Sequence, residues 1–304
     1  MTSTVPAPSA TAGAQPSGGI PTRPRISLST SSTYPEPTEY AFEMAAKLGF
    51  DGVEVMVITD AVSQDAHALA DLSKAYDMPI VSIHAPCLIV TQFVWGSDPE
   101  LKLRRSVDMA RDLGSEVVVV HPPFRWQRDY ALGFTDLVDE LSARGDVKVA
   151  VENMFPWAVP GRKVAAYAPH WDPREQDYAD VTLDVSHCAA AGVDCIDMAS
   201  DLGSRLRHLH LTDGSGSARD EHLVPGRGRQ PVGGLVSKLA AIGFDGHYVL
   251  EINTRKAGDR AAREVDLAES MGFLRARLLD SGRFALAGTT DGRLDLAVRP
   301  PVQG

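Results

Sequence analysis

Six short apolar runs in this chain each end in a carboxylate or an imidazole. They are SIH at His84, VVVVH at His121, VAVE at Glu152, VTLD at Asp184, LRHLH at His210 and YVLE at Glu251. Acids and histidines are poor company for buried Val, Ile and Leu unless something at the end of the run uses them. The ends are spaced 26 to 41 residues apart, close to the ~30 residues of one strand–helix unit. A chain built this way folds most simply so that all the run ends meet at one place.

Strand and helix signals alternate from residue 25 onward. Strands are predicted over 26–29, 52–58, 80–84, 116–121, 147–152, 180–185, 206–211 and 247–252, all rich in β-branched and apolar residues, as strands covered on both faces require. Helices are predicted over 36–49, 98–114, 231–243 and 257–280. Asp98 and Pro99 read as a helix start, and Gly49 and Gly114 as stops. The segments LGFDGVEV (48–55) and IGFDGHYV (242–249) repeat one helix-to-strand joint. The expected fold is α/β, a single-domain (β/α)8 TIM barrel spanning 25–280. Residues 1–24 read as a disordered leader, 281–304 as a tail outside the fold, and 153–179 as a long rim loop with at most a short helix at Pro173.

Composition narrows the function. The net charge is −10, which disfavours a broad basic nucleic-acid surface while leaving a local one open. No apolar run reaches the ~18 residues of a membrane span. No Lys or Arg precedes Arg23, so the leader is not read as a secretory signal. Three cysteines without a CxxC pair suit a reducing cytoplasm.

In a parallel barrel all strand C-termini open on one face. Glu152, Asp184, Glu251 and His210 would meet there as a hard oxygen-rich set suited to Mn²⁺, Mg²⁺, Co²⁺ or Zn²⁺. His84, His121, His187, Asp220 and His222 are further candidate ligands, so the expected cofactor is one to three divalent ions. Three carboxylates ending apolar strands would repel one another without a cation. His170, His208 and His247 are read as ordinary hydrogen-bonded residues, with His208 facing away from His210, and His67 as a solvated helix residue.

The segments SIHAP (82–86), VVVVHP (117–122), VAVEN (149–153), LDVSH (183–187), HLHLTD (208–213), ARDEHLVPGRG (218–228) and YVLEIN (248–253) resemble, as an ordered set, the xylose-isomerase-like barrel superfamily. That superfamily includes sugar and sugar-phosphate isomerases and epimerases, and also the endonuclease IV class of abasic-site nucleases. The epimerase resemblance implies Glu152, Asp184, His210 and Glu251 as metal ligands. It further implies Glu152 and Glu251 as the acid/base pair on opposite faces of the sugar, and His187 as a substrate contact. The endonuclease IV resemblance implies three zinc ions: His84 and His121 with Glu152 bridging, then Asp184, His210 and Glu251, then His187, Asp220 and His222.

The chain departs from the nuclease pattern where the duplex would be entered. ThrAspAlaValSerGlnAsp (59–65) replaces an Asn/Arg/Trp-rich element, and Cys87-Leu88 replaces an aromatic wedge. Without that wedge, flipping a nucleotide loses its compensation. Phe93 and Trp95 are instead available to line a small-molecule pocket. Arg125 and Trp126 are expected over the pocket, and the ValProGlyArgGlyArg turn (224–229) offers amides, Arg227 and Arg229 to a phosphate. A cation on a carbonyl and its neighbouring hydroxyl stabilises an enediolate. The expected activity is therefore a divalent-metal-dependent isomerase or epimerase of a sugar or sugar phosphate. The competing expectation is an abasic-site phosphodiester hydrolase, the only reading with a nucleic-acid partner.

Overall fold

The computed structural model describes residues 24–280 except 160, together with 289–290 and 293–294. The leader, apart from Pro24, and most of the tail lie outside the described residues. Eight strands close into a parallel barrel. In chain order they begin with β1 (Ile26–Ser29), β2 (Gly52–Met56), β3 (Ile80–His84), β4 (Val117–Val120) and β5 (Lys148–Glu152). The short strands β6 (Trp157–Val159) and β7 (Arg162–Val164) stand outside the barrel, which then continues with β8 (Val181–Asp184), β9 (Leu206–Leu211) and β10 (His247–Leu250). The closure pairs β1 with both β2 and β10.

The helices are α1 (Thr38–Leu48), α2 (Ala66–Tyr76), α3 (Pro99–Leu113), α4 (Arg128–Ser142), α5 (Val185–Ala191), α6 (Cys195–Leu202), α7 (Val232–Ala241) and α8 (Arg260–Asp280). Their ends follow the local chemistry. Asp98 accepts from the amides of Glu100 at 2.9 Å and Leu101 at 3.2 Å, with Pro99 in the first turn and Gly114 left-handed at φ 69°. Asp65 caps α2 in the same way.

Strand alternation divides the barrel into two chemistries. Side chains such as Ile26, Leu28, Val53, Val55, Ile83, Val118, Val149, Leu183, Leu209 and Leu250 belong to one continuous buried core with the helices. The alternate positions carry Ser27, Ser29, Glu54, Ser82, His84, Glu152, Thr182, Asp184, His208 and His210, all buried and all polar. Among the inward set only Val117, Val119 and Ala150 form a separate apolar cluster. The lumen is thus a column of hydrogen-bonding groups, wrapped by an apolar layer.

The segment 153–179 is more ordered than a bare loop. β6 and β7 pair as an antiparallel hairpin, and Pro173–Glu175 forms one 3₁₀ turn capped by Asp172. The reason is aromatic packing: Phe124, Met154 and Tyr167 are buried together, with Trp157 and Trp171 against them.

The repeated Phe-Asp-Gly joint has a steric cause. A Cβ at Gly52 would stand 2.7 Å from Val81 Cγ1 and 2.9 Å from the Pro79 carbonyl, and one at Gly246 would stand 2.3 Å from the Arg207 carbonyl. In both places the strand enters the sheet against a neighbour's backbone. Gly52→Ala should therefore destabilise the barrel by roughly 1–3 kcal/mol, read by denaturant unfolding. A change within experimental error would show that the strand entrance can shift.

Candidate metal centre

Glu152 ends β5, Asp184 ends β8, His210 lies in β9 and Glu251 follows β10. Register places Asp184 opposite His210 and His210 opposite Val249, so adjacent strands deliver these groups to one level. His210 Nδ1 stands 3.1 Å from Glu152 Oε1, 2.9 Å from Glu251 Oε2 and 3.7 Å from Asp184 Oδ2. One ligand atom from each of the four residues lies within 4.8 Å of the others. All four are buried, and Glu152 Oε2 and Asp184 Oδ2 make no hydrogen bond. Asp184 Oδ2 has no donor, and Glu152 Oε2 meets only the imidazoles of His121 and His84. Buried carboxylates so poorly supplied are costly, and a cation among them removes that cost. The residues present fit a divalent ion held by three carboxylates and one imidazole.

The other five candidates join the same cluster. His84 Nε2 is 3.4 Å and His121 Nε2 3.0 Å from Glu152 Oε2. His187, in the first turn of α5, reaches Asp220 with Nε2 at 3.4 Å, and His222 Nε2 lies 2.9 Å from the other Asp220 oxygen. Asp184 fixes His187 by capping α5, accepting from the His187 amide at 2.6 Å. Three imidazoles face backbone carbonyls through Nδ1: His84 with Ala85 at 3.0 Å, His187 with Asn153 at 2.8 Å and His222 with Glu251 at 2.9 Å. A carbonyl only accepts, so Nδ1 carries the hydrogen and Nε2 is left for the centre. His84, Cys87 and His121 form one possible ligand group, and Asp184, His187 and His222 another. Cys87 is a contributor that sequence reasoning assigned only to a loop.

Glu54 is the residue that sequence reasoning missed. It sits inside the lumen on β2, fully buried, with Oε1 3.0 Å from His210 Nε2. Its Oε2 is 3.0 Å from His208 Nε2 and 2.8 Å from Ser82 Oγ, which donates to it. Glu54 thus holds the His210 Nε2 hydrogen and turns Nδ1 toward the three carboxylates. The signal was present in GVEVM, an acid in mid-strand. The expectation that His208 faces away from His210 is corrected by the same geometry, because residues two apart on a strand share a face. His170, half-buried, accepts from the Asp172 amide, His247 pairs with Glu116 at 3.5 Å, and His67 is exposed on α2.

The charges are mutually dependent. Burial pushes Glu152 up, but His210 and His121 outweigh it and hold the carboxyl well below its usual range. Burial likewise opposes His210 and His222 at Glu251, which is held at about 2. Asp184 is raised, by burial first and then by Glu152 and Asp220. Burial lowers the imidazoles, yet neighbouring anions reverse it. Cys87 and Glu152 bring His121 to about 9, and Asp220 and Asp184 bring His222 to about 10. His84, His187 and His210 also move well above the ordinary value. Two further histidines move down instead: burial lowers His208, and burial with His208 beside it lowers His247.

The proposed substrate contacts divide. Trp126 is exposed on the rim, stacked on Phe124 with centroids 4.4 Å apart. Arg125 is exposed beside it, its amide bonded to the Ala166 carbonyl. Arg227 is a correction: its guanidinium pairs with Glu269 and Asp266 on α8. The amides of Gly226, Gly228 and Gln230 are taken by the Asp213 carboxylate at 2.9, 2.9 and 3.1 Å. That turn is closed on its own acid and does not offer a phosphate cradle. Trp95 also differs from expectation, lying under the Arg105 guanidinium at 4.5 Å and against the core, whereas Phe93 does line a pocket.

Residues 42–277 match the model of the xylose isomerase-like TIM barrel family. An uncharacterized protein of Mycobacterium tuberculosis is 50% identical over 274 residues, covering 84% of this chain and 98% of that one. Fructoselysine 3-epimerase of Shigella flexneri is 23% identical, covering 72% and 86%. Among solved structures, a D-tagatose 3-epimerase-like protein superposes with TM-score 0.62 at 20% identity, covering 85% and 98%. D-allulose 3-epimerase from Methylomonas sp. in complex with D-allulose superposes with TM-score 0.58 at 16% identity, covering 84% and 98%.

Two predictions follow from the geometry and the charges. Glu54→Gln should weaken divalent-ion affinity by about 10–100-fold, the usual cost of losing an outer partner of a ligating histidine, measured by calorimetric titration of chelator-stripped protein. Unchanged affinity would reduce Glu54 to a core hydrogen-bond partner. Five imidazoles are held protonated to higher pH in the folded chain than in the unfolded one. The stability they confer is complete below ~6.5 and is lost as pH rises through about 9 at His121 and about 10 at His222. Cys87, lowered to about 6 through His121 and His84 against its burial, acts in the opposite sense, one group against five. The melting temperature of stripped protein should fall between pH 7 and 10, and bound cation should flatten that slope.

Proposed function

The chain belongs to the xylose isomerase-like TIM barrel family, and from that premise we propose that it is a divalent-metal-dependent sugar epimerase or isomerase. The observation that carries this reading is the placement of Glu152 and Glu251. Their oxygens flank one His210 nitrogen at 3.1 and 2.9 Å, so two carboxylates border the same small volume. The names of the fructoselysine and D-allulose 3-epimerases similar to this chain support the class. In this reading it is a cytoplasmic enzyme acting on a free or substituted ketose.

Glu152, Asp184, His210 and Glu251 would hold the cation. The ion, when bound, supplies Lewis-acid polarisation of a carbonyl and its adjacent hydroxyl. One glutamate removes the proton from the carbon beside the carbonyl, and the C–H electron pair moves into the enediolate. The other glutamate, protonated from solvent beforehand, delivers its proton to the opposite face to give the epimer. Return at the neighbouring carbon, with the hydroxyl proton passing to the former carbonyl oxygen, gives the isomer. Both carboxyls are ionised in the free chain, so either can be the one that accepts the proton. His187, fixed through Nδ1 by Asn153, presents Nε2 to a substrate oxygen.

A second reading, phosphodiester hydrolysis, is favoured by one observation: the His84–Cys87–His121 and Asp184–His187–His222 groups flank the central four, an arrangement that would accommodate three ions. Deuterium incorporation into ketoses from D₂O, with metal counting by mass spectrometry on protein never exposed to chelator, separates the two. The epimerase reading expects one or two ions, exchange by the native chain, and a loss of exchange of about 10²-fold or more in Glu152→Gln and in Glu251→Gln. Three ions with incision of abasic DNA and no exchange would transfer the assignment to the hydrolase.

A further inference from the structure

Beside the centre, between the β3–α3 and β4–α4 connections, lies a pocket of about 190 Å³. Its lining includes His121, whose Nε2 is 3.0 Å from Glu152, so one imidazole joins the pocket to the carboxylate cluster. Leu88, Ile89, Phe93, Phe124 and Trp126 give it an apolar and aromatic side. Gln92, Ser97, Lys102, Gln127 and Tyr130 give it a polar one. Phe93 is 77% exposed and Trp126 58% exposed. Trp126 lies parallel to Phe124, interplanar angle 5°, and Phe124 is braced in turn by Tyr167 and Trp157. Large aromatic surface left open to water at the mouth of a centre marks a ligand contact.

The one lysine of the lining is already committed, as are two of its other polar groups. Lys102 is buried, and its Nζ donates to the Thr91 and Gln92 carbonyls at 2.8 Å each. Gln127 Oε1 accepts from the Phe124 amide at 2.9 Å, and His121 faces Glu152. Among the described lining residues, no cation is left to receive a phosphate. The turn that could have served one, 224–229, is closed by Asp213. The volume is near the ~150 Å³ known to hold one benzene ring.

We propose that this pocket is a subsite for an uncharged, apolar, ring-sized substituent on the sugar that reaches the carboxylate centre. This rests on the sugar epimerase reading and gives it a substrate class: a ketose carrying an aryl or cyclic alkyl group, and not a sugar phosphate. The polyol end meets Glu152, His187 and Glu251, and the substituent lies between Phe93 and the exposed face of Trp126.

The test uses the full ¹⁵N-labelled chain loaded with Zn²⁺, reading the indole N–H signal of Trp126, identified by its loss in Trp126→Phe. Benzyl alcohol should shift this signal saturably, and inorganic phosphate should not. Phe93→Ala should weaken the benzyl alcohol response by about tenfold, with Ile89→Ser as the second variant should the first not fold. Leu132→Ala, an exposed apolar residue outside the lining, should leave it in place. A response to phosphate alone, or to neither probe, overturns the subsite. So does a Trp126 shift driven by protein concentration with a dimer in sedimentation, which gives the pocket to a second copy. Deuterium exchange into ketoses is followed in parallel. Exchange without a benzyl alcohol response removes the subsite and leaves the epimerase reading standing. A benzyl alcohol response without exchange into any ketose removes that reading and the subsite's role with it.

Discussion

Buried carboxylates held within reach of one imidazole set the terms for this protein. Glu152, Asp184 and Glu251 converge on His210 Nδ1, and Glu54 occupies the other side of the same ring. Four acids in so small a buried volume repel one another, and each is worth keeping ionised only if positive charge lies among them. Histidines supply part of it, and a divalent cation would supply more. The barrel follows from that demand: eight parallel strands can bring groups from sequence positions 54 to 251 to one level and hold them there by hydrogen-bonded register.

The same demand explains why the lumen is polar. Inward positions on the strands carry Ser, Thr, Glu and His, and the apolar stabilisation comes from the layer between sheet and helices. Each lumen group is fixed by another. Ser82 and His208 hold Glu54, Glu54 holds His210, and the carbonyls of Ala85, Asn153 and Glu251 hold His84, His187 and His222. Ring orientation at the centre is therefore decided by an outer set of partners that never touches the central volume. The candidate centre lies where the strands end, and the rim stands around it. There the aromatic cluster of the 153–179 segment braces Phe124 and, through it, Trp126.

Much of this was legible in the chain. Runs ending in His84, His121, Glu152, Asp184, His210 and Glu251 named the strands, their direction and most of the centre, because a parallel barrel has one open face. Asp98, Pro99 and Gly114 marked α3 by local hydrogen bonding and backbone geometry alone. Glu54 was overlooked because it lies in mid-strand and not at a strand's end, and His208 was misplaced because a period of two puts it on the face of His210. The hairpin strands 157–159 and 162–164 gave no periodic signal, since they are held by Met154 and Tyr167 at their flanks packing on Phe124, which lies more than thirty residues before them in sequence.

Sequence by itself determined the alternation of strand and helix, the joints that require glycine at 52 and 246, and the donor types at the strand ends. The first and last of these depend on patterning within a few residues. The repeated joint was visible as a motif, although its steric cause lies in Pro79, Val81 and Arg207 at the neighbouring strands. Only the tertiary structure decided that Asp213, and not a phosphate, fills the amides of the 224–229 turn, and that Arg227 is engaged by α8. It alone turned His210 around so that Glu54 holds one nitrogen and the carboxylates face the other. Those outcomes depend on which charged groups from remote segments reach each other first, and a buried polar group takes whichever partner the packing delivers.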